Sequence, residues 1–428
     1  MRKLRQLRNL WIAWVMTIVL ACASDAVAQT SYTVTDLGLL NGDNLSCAMA
    51  LNNHDWTENM DAFMDPLSNF SGATVVNGHA VLNIDGLRID LGTLGGPNAN
   101  TWMNFGGLND RGEAVGFSET SVPDPDGESF CSGSGLPATG LTCRGFLWRD
   151  GHMSALPTVG GNNGQASAIN NRGQILGVAE TAVPDSTCPP SHPGHVSPAV
   201  LWENGKVRPL PTVGTDPDGF GNGINDLGQA VGFSGTCTSA NHAVLWENNT
   251  VFPLPDLGTG AIAYGINDQG QIVGTIGSAD GSTELAALWQ NGVLTNIGAV
   301  QGDFAAIATG INSRGQVVGS SMDSGFNWAH GFIYQDGVIT DLNTLIPESS
   351  NLIVTMANKI NERGQISGMA TVRSGPHTGD VHAFVATPVN ASIGTSVADV
   401  AGTHPKSNFP ANVNKQLLQR FGLGRLGR

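Results

Sequence analysis

The sequence repeats one phrase, GINDQGQIVG at residues 265–274 in its fullest form, seven times along the chain. Two apolar stretches flank a central Asn-Asp-x-Gly, and Asn and Gly supply the Asx-turn or left-handed geometry that tight antiparallel turns require. Each copy therefore predicts two short strands joined by a hairpin. The asparagines of the seven copies are Asn52, Asn109, Asn170, Asn225, Asn267, Asn312 and Asn361.

A second hairpin follows within each unit, as in the segment HAVLWENN at 242–249, which leads to a strand ending in Pro-Asp-Leu-Gly at 255–258. Each unit thus contains four short strands and leaves no room for a helix of ordinary length. The asparagines recur at intervals of 57, 61, 55, 42, 45 and 49 residues. Four-stranded units of about 40–50 residues have the size of a propeller blade.

The two ends of the array favour a closed ring over an open stack. The last unit stops after its third strand, at 382–385. The segment YTVTDLG at 32–38 resembles the fourth strand of a unit, but it lies before the first unit. An N-terminal strand that completes the last blade closes the ring and removes unpaired strand edges. We therefore expect an all-β fold, a seven-bladed β-propeller of four-stranded antiparallel blades. A β-solenoid is the alternative, and it explains the split unit less well.

The repeat resembles the bacterial extracellular repeat family called HAF. His382-Ala383-Phe384 matches the His-Ala-Phe phrase at strand three in full. Partial matches begin at His79, His242 and His330. Units two, three and five depart from the pattern, with Arg144, Ser197 and Leu285 at the histidine position. The resemblance covers about residues 31–388 and implies an exported repeat protein, but it brings no assigned activity and no functional residues.

The N-terminus is typical of a secretory signal peptide. Basic residues at 2–8 precede an apolar run at 10–23, and an Ala-x-Ala site at 26–28 ends directly before Gln29. This order predicts cleavage between Ala28 and Gln29. It also predicts export to the periplasm or the medium. The residues that end at Cys22 resemble a bacterial lipobox, so lipid anchoring at Cys22 is the alternative.

We divide the chain into a signal peptide (1–28), a seven-unit propeller (29–388) and a tail (389–428). The repeat stops at the start of the tail, which is rich in small residues before a short basic amphipathic stretch at 415–421. This composition is typical of a flexible linker. No stretch after the signal approaches the roughly 18 apolar residues of a transmembrane helix.

The charge of the chain argues against some classes of partner. The sequence has 35 acidic and 20 basic residues and a net charge of −15, and nine of the basic residues lie in the signal peptide or the tail. A propeller this acidic repels nucleic acid and anionic lipid. We expect neither as a partner.

The cysteines predict disulfide bonds in the loops. Five of the six remain after removal of the signal peptide, and an oxidising compartment allows them to pair. Cys131 with Cys143 is the easiest closure, because both lie in one insertion, and Cys188 with Cys237 then forms a second pair. Cys47 is left over. Connectivity stays open at this point, and the spacings lack the CxxC pattern of a zinc or redox site.

Long connections mark one face of the predicted propeller as the functional candidate. Hairpin turns hardly vary in length, whereas the connections between strands two and three and between blades do, and in a propeller these emerge on the same face. Binding residues concentrate on loops that a rigid scaffold positions. Aromatic rings beside hydrogen-bonding groups suit sugar rings or peptide side chains. The candidates for ligand binding are Trp102, Phe220, Phe304, Trp328, Asp216, Asp218 and Asp303.

Two short acidic motifs are weak calcium candidates. Asp124 with Asp126 and Asp216 with Asp218 place carboxylates on alternate residues ahead of a glycine, as the opening of a calcium loop does. Neither motif continues into the full ligand pattern, and Pro-Asp-Gly is by itself a turn signal. We predict no other cofactor.

These observations favour a non-enzymatic binding or scaffold protein whose ligand is carbohydrate or another protein. The chain contains no G-x-S-x-G, no H-E-x-x-H and no P-loop. The alternative is a secreted propeller hydrolase or lyase that uses carboxylates from separate blades, an arrangement that no local motif reveals.

We expect the mature protein to begin at Gln29 without a lipid, because the Ala-x-Ala site fits the signal better than the lipobox, whose Leu20 is atypical. Intact mass spectrometry of the exported protein measures this directly. A diacylglyceryl group on Cys22 would overturn the prediction.

Overall fold

The computed structural model describes most of the predicted propeller. All regular structure in it is β-strand apart from two short 3₁₀ helices, Phe130–Ser134 and Leu342–Thr344. No helix in this part of the chain is long and apolar enough to cross a membrane. The described residues are 30–40, 42–64, 75–101, 107–128, 130–134, 138–190, 194–325 and 328–389. The predicted signal peptide and nearly all of the tail lie outside these ranges.

The strands lie in six sheets, and the eight-stranded one consists of two antiparallel units joined by a single parallel bridge between Leu45 and Val381. Seven antiparallel blades therefore follow one another, numbered here from the first complete unit. The N-terminal strand β1 (Ser31–Gly38) precedes them. Blade 1 contains β2 (Leu45–Leu51), β3 (Thr57–Met64), β4 (Val75–Ile84) and β5 (Leu87–Asp90). Blade 2 contains β6 (Gly95–Asn100), β7 (Gly107–Leu108), β8 (Ala114–Pro123), β9 (Leu141–Arg149) and β10 (His152–Ala155). Blade 3 contains β11 (Gly160–Ile169), β12 (Ile175–Thr181), β13 (Ala199–Glu203) and β14 (Lys206–Pro209).

The remaining blades repeat the same order of strands. Blade 4 contains β15 (Asp218–Ile224), β16 (Ala230–Thr236), β17 (Ser239–Glu247) and β18 (Thr250–Pro253). Blade 5 contains β19 (Ala261–Ile266), β20 (Ile272–Gly277), β21 (Glu284–Gln290) and β22 (Val293–Gly298). Blade 6 contains β23 (Ala305–Ile311), β24 (Val317–Met322), β25 (Trp328–Gln335) and β26 (Val338–Asp341). Blade 7 contains β27 (Leu352–Ile360), β28 (Ile366–Val372) and β29 (Val381–Val389).

The N-terminal strand completes blade 7, as the sequence predicts. Strand β1 pairs antiparallel with β29, in a register that runs from Ser31 opposite Val389 to Asp36 opposite Phe384. Tyr32 is buried, with 1% of its surface exposed, and its backbone N–H donates to the carbonyl of Leu345 at 2.9 Å. The missing fourth strand of the last unit therefore comes from the other end of the chain.

A ring of asparagine side chains joins the seven blades. The Nδ2 of each repeat asparagine donates to the backbone carbonyl of the asparagine in the next blade, at 2.9–3.2 Å. The seventh link runs from Asn361 back to Asn52 at 3.1 Å, so the ring is closed. The Oδ1 of Asn267 accepts from the backbone N–H groups of Gln269 and Gln271, and this fixes the hairpin turn that presents the ring.

The repeat has a glycine directly after two apolar residues of strand two, as at Gly274, and the close approach of the neighbouring strand explains it. A Cβ at Gly274 would lie 2.0 Å from the carbonyl oxygen of Ile262 on the neighbouring strand, and one at Gly232 would lie 1.9 Å from that of Phe220. Real Cβ atoms are never this close to a backbone oxygen. Glycine is required here by space and not by backbone angle.

The apolar cores lie between neighbouring blades. One core unites Val231 and Ala243 of blade 4 with Ala263, Ile272 and Trp289 of blade 5. The repeated strand-three tryptophans serve this packing, because they are almost fully buried and donate their indole N–H to a proline carbonyl after the preceding blade. These 2.7 Å bonds are Trp202 to Pro157, Trp246 to Pro211 and Trp289 to Pro255.

Because β1 closes the ring, its buried residue should control the stability of the whole propeller. We expect Tyr32→Ala to lower the free energy of unfolding by about 3–5 kcal/mol, as large aromatic truncations in cores do. Deletion of residues 31–38 should be still more damaging. Chemical denaturation measures both. The control is Thr35→Ala on the exposed side of the same strand, expected to change stability by less than about 0.5 kcal/mol. An unchanged thermal midpoint after the deletion would contradict the role of β1 in closure.

Candidate ligand-binding site on the long-loop face

A cavity of about 290 Å³ opens among blades 2, 3 and 4. The insertion between β8 and β9 brings Glu128, strand β12 brings Glu180, and the insertion between β12 and β13 brings His195. Strand β15 adds Asp218 and Phe220 from its first residues. Insertions between strands two and three therefore meet a connection between blades, which is how the sequence predicts the long-loop face to be built.

Two disulfides hold the walls of this cavity. Cys131 of the blade 2 insertion is bonded to Cys143 on strand β9, and Cys188 joins the blade 3 insertion to Cys237 of blade 4. The preferred pairing is thus confirmed. Cys47 is free and buried in blade 1, and burial raises the pKa of its thiol to about 12. Its sulfur is therefore protonated and unreactive at neutral pH.

Two carboxyl groups and one imidazole meet at the base of the cavity. The Nδ1 of His195 lies 2.8 Å from Oε1 of Glu128, whose carboxyl group hydrogen-bonds that of Glu180. Glu180 is 1% exposed, and its Oε2 accepts from the backbone N–H of Asn163 at 2.8 Å. Glu128, Glu180 and His195 each offer one possible metal-ligand atom, and these three atoms lie within 4.8 Å of one another. Carboxylate and imidazole donors of this kind suit a divalent cation such as zinc or manganese.

Burial and the neighbouring acid together set the proton occupancy of Glu180. Burial raises the pKa of its carboxyl group, and the hydrogen bond to Glu128 and the charge of Glu128 raise it further. Two adjacent carboxylates cannot both ionise without strong repulsion. The pair therefore retains a proton at neutral pH, which gives the cavity one donor and one charged acceptor side by side.

Asp218 is a third carboxyl group in the cavity, and its pKa is raised. Its Oδ1 accepts from the backbone N–H of Ser197 at 2.7 Å. Burial raises the pKa of Asp218 to about 7, and a hydrogen bond to Asp185 adds to the effect. The cavity thus changes its charge near neutral pH.

An aromatic pair forms one wall. Phe220 and Phe233 stack with ring centroids 6.1 Å apart and an interplanar angle of 15°. Both rings are half-buried and line the cavity, together with Phe130. Phe220 and Asp218, two residues that the sequence analysis selected, therefore meet in one site.

The other selected residues do not join them. Phe304 is 37% exposed and lines a separate cavity of about 530 Å³ on blades 4, 5 and 6. Asp303 is held by Nδ1 of His330 at 2.8 Å. Trp102 lies outside the described residues, as does the side chain of Trp328, whose backbone begins β25.

The calcium candidates are hydrogen-bonded to neighbouring side chains. Asp124 and Asp126 accept from the side-chain amides of Asn163 and Asn162, at 2.9 and 2.8 Å. Asp216 accepts from Ser234 and Asn241, at 2.8 and 2.9 Å. These bonds anchor the acidic turns to the adjacent strands.

Three of the four strand-three histidines pair with carboxylates of their own blades. His79 lies 3.2 Å from Asp90, and His382 lies 2.9 Å from Asp36. His330 is paired with Asp303, which directly precedes the first strand of the same blade. The blades thus keep these histidines apart, which fits a structural role and not a shared metal site.

Sequence reasoning missed Glu128, Glu180 and His195 as a group. One signal was present: strand two of units two and three contains a glutamate followed by threonine, at Glu119 and Glu180. Both are 1% exposed. A glutamate inside a strand of a repeat with few charges indicates a buried polar site, but the sequence does not show that Glu180 meets Glu128 of blade 2.

Comparisons with known proteins identify no family. No protein-family model matches the chain, and no curated protein matches it. Among solved structures it is similar to the β-propeller domain of the Trilobed protease from Pyrococcus furiosus, at 11% identity and a TM-score of 0.38, over 70% of this chain and 96% of that one. It is also similar to the acylaminoacyl peptidase of Pyrococcus horikoshii, at 10% identity and a TM-score of 0.35, over 78% of this chain and 58% of that one. A protein of unknown function from Dyadobacter fermentans matches at 10% identity and a TM-score of 0.38, over 83% and 99%.

The raised pKa of Glu180 and Asp218 predicts a stability that falls as pH rises. Each group binds a proton more tightly in the folded protein than in the unfolded chain, where carboxyl pKa values are about 4. The stabilisation is therefore complete below about pH 4 and is lost as pH rises through the folded values, near 7 for Asp218.

Glu180→Gln should flatten the decline of the thermal midpoint between mildly acidic and alkaline pH, because the neutral amide has no proton to lose. We expect this variant to be more stable than the wild type on the alkaline side. Glu203→Gln, an exposed change of equal charge in the same blade, should leave the profile unaltered. A profile for Glu180→Gln that parallels the wild type would show that the pair is ionised in the folded protein.

Proposed function

We propose that the protein is an exported carbohydrate-binding propeller whose ligand occupies the cavity among blades 2, 3 and 4. The observation that carries this proposal is the stacked pair Phe220 and Phe233 beside the carboxyl groups of Glu128, Glu180 and Asp218. The two loop disulfides support export, because such bonds persist in oxidising compartments.

A sugar fits this wall for two physical reasons. The C–H face of a pyranose ring is apolar and flat, so it packs on an aromatic ring, while its hydroxyl edge needs donors and acceptors at the same time. The protonated Glu180 can donate, and the Glu128 carboxylate can accept. A site built from rigid strands and disulfide-bonded loops also loses little entropy on binding.

A hydrolase or lyase is the second candidate, and one observation favours it. Glu128, Glu180 and Asp218 come from three different blades, and a protonated carboxyl group lies against an ionised one. General acid and base catalysis requires such a pair, with the protonation states separated by the environment. In that case Glu180 is the acid and Glu128 the base.

We expect Phe220→Ala to weaken binding of a glycan found by array screening at least tenfold, or about 1.4 kcal/mol. Loss of stacking and of buried ring area gives this magnitude. Titration calorimetry with that glycan measures the change. The matched control is Phe304→Ala, which truncates a phenylalanine in the separate cavity and should leave the affinity unchanged. Equal loss in the two variants would place the ligand elsewhere.

The same purified protein distinguishes the two candidates. A binding protein leaves the selected glycan intact, and Glu180→Gln alters affinity alone. An enzyme cleaves it, and Glu180→Gln abolishes turnover while binding persists. Binding to no glycan, with binding to a protein partner that Phe220→Ala weakens, would keep the site and refute the carbohydrate proposal.

A further inference from the structure

A third cavity of about 160 Å³ lies at the opposite end of the propeller, inside the asparagine ring. Its lining comes from all seven blades, and each blade contributes the last residues of its innermost strand. The cavity is therefore the end of the central channel. A single water needs only about 10–15 Å³, so a small molecule has room here.

Branched aliphatic side chains surround this channel end. The residue directly before the ring asparagine is leucine in blades 1 and 2 and isoleucine in the other five, from Leu51 to Ile360. Every one of these seven residues lines the cavity. They form an apolar collar at the mouth.

One position deeper, a single residue breaks the repeat. Blades 1 to 6 carry glycine or alanine there, whereas blade 7 carries Lys359. Small residues are needed because a Cβ at Gly223 would lie 2.8 Å from the carbonyl oxygen of Tyr264 in the next blade.

Blade 7 makes room for the longer side chain with a second change. Lys359 pairs in register with Ser367, where the same pairing in blades 4, 5 and 6 has valine, as at Val273. The hydroxyl of Ser367 is fully buried and has no hydrogen-bond partner among the described residues. Two departures from the repeat thus coincide at one point of the channel wall.

The protein supplies no counter-charge for Lys359. Within the described part of the chain no ion pair or hydrogen bond involves its ammonium group, and burial lowers its pKa to about 8. Glu58, at the position in blade 1 that Ser367 has in blade 7, is fully buried, and burial raises the pKa of its carboxyl group well above the usual range. Lys359 is half-buried, and an anion from solution that reaches its unpaired ammonium group gains a charged partner.

The surroundings restrict which anion is suitable. The residue after each ring asparagine lies on the turns around the channel end, and four of these residues are acidic: Asp110, Asp226, Asp268 and Glu362. The following residue is arginine on four of the seven turns, so the charges of the turns offset one another and do not select an anion by its charge; these are Arg111, Arg172, Arg314 and Arg363. The aliphatic collar does select, because it favours a ligand with an apolar tail.

We propose that this channel end binds a small monocarboxylate, with its carboxylate at Nζ of Lys359 and its short apolar tail against the collar of leucine and isoleucine side chains. Tyr264 also lines the cavity. This site lies at the other end of the channel from the proposed carbohydrate site, so either can fail alone.

Butyrate is the probe that tests the proposal, with titration calorimetry on the full-length protein. We expect wild-type protein to bind butyrate and to bind inorganic phosphate at least tenfold more weakly. Lys359→Met should reduce butyrate affinity at least tenfold, while Lys206→Met, an exposed lysine change of equal charge, should not. Equal affinity in Lys359→Met and wild type, or phosphate binding as tight as butyrate binding, would overturn the proposal.

A measurement on the wild type covers the case in which Lys359→Met fails to fold. In protein labelled with ¹³C at lysine, butyrate should shift the side-chain signals of Lys359 and leave those of Lys206 in place. Absence of any shift at Lys359 at millimolar butyrate would refute the site.

Discussion

The hydrogen bond from each repeat asparagine to the backbone of the next blade is the interaction on which the rest of the structure depends. One side chain fixes its own hairpin through Oδ1 and reaches the neighbouring blade through Nδ2. A net value of about 0.5–1.5 kcal/mol is usual for one such bond. Seven such bonds in a closed ring also fix the arrangement of the blades, because the same contact sets the angle between each pair of neighbouring blades. Only a complete ring gives every asparagine Nδ2 its acceptor in the next blade.

That constraint leaves the two ends of the propeller with different freedoms. At the end that carries the asparagine ring the turns must stay short and nearly identical. Residues with different chemistry occur there in the channel lining, where Lys359 replaces a small residue. The other end carries no such circuit and tolerates insertions of any length. The disulfides of blades 2, 3 and 4 then give those insertions the order that the blades themselves do not provide.

The sequence predicts the architecture well because the fold is encoded locally and seven times over. Asn267 and its equivalents, Gly274 and Trp289 each act within one unit or between neighbours, so a repeat pattern reveals them. The site is harder to predict. Phe220 and Asp218 are selected by their place on the long-loop face, but Glu128, Glu180 and His195 meet only because an insertion of blade 2 lies against a strand and an insertion of blade 3. Lys359 is visible in the sequence as a departure from the repeat, yet its meaning requires knowing that this position faces a shared channel.

Closure by β1 has a consequence for biogenesis. Strand β1 finds its partner, β29, only when the last blade has been made, more than 300 residues later. Contacts at such separation form slowly, since a very long loop has to close first. The ring therefore cannot close before its last blade has been made, and until then both β1 and β29 leave an unpaired strand edge.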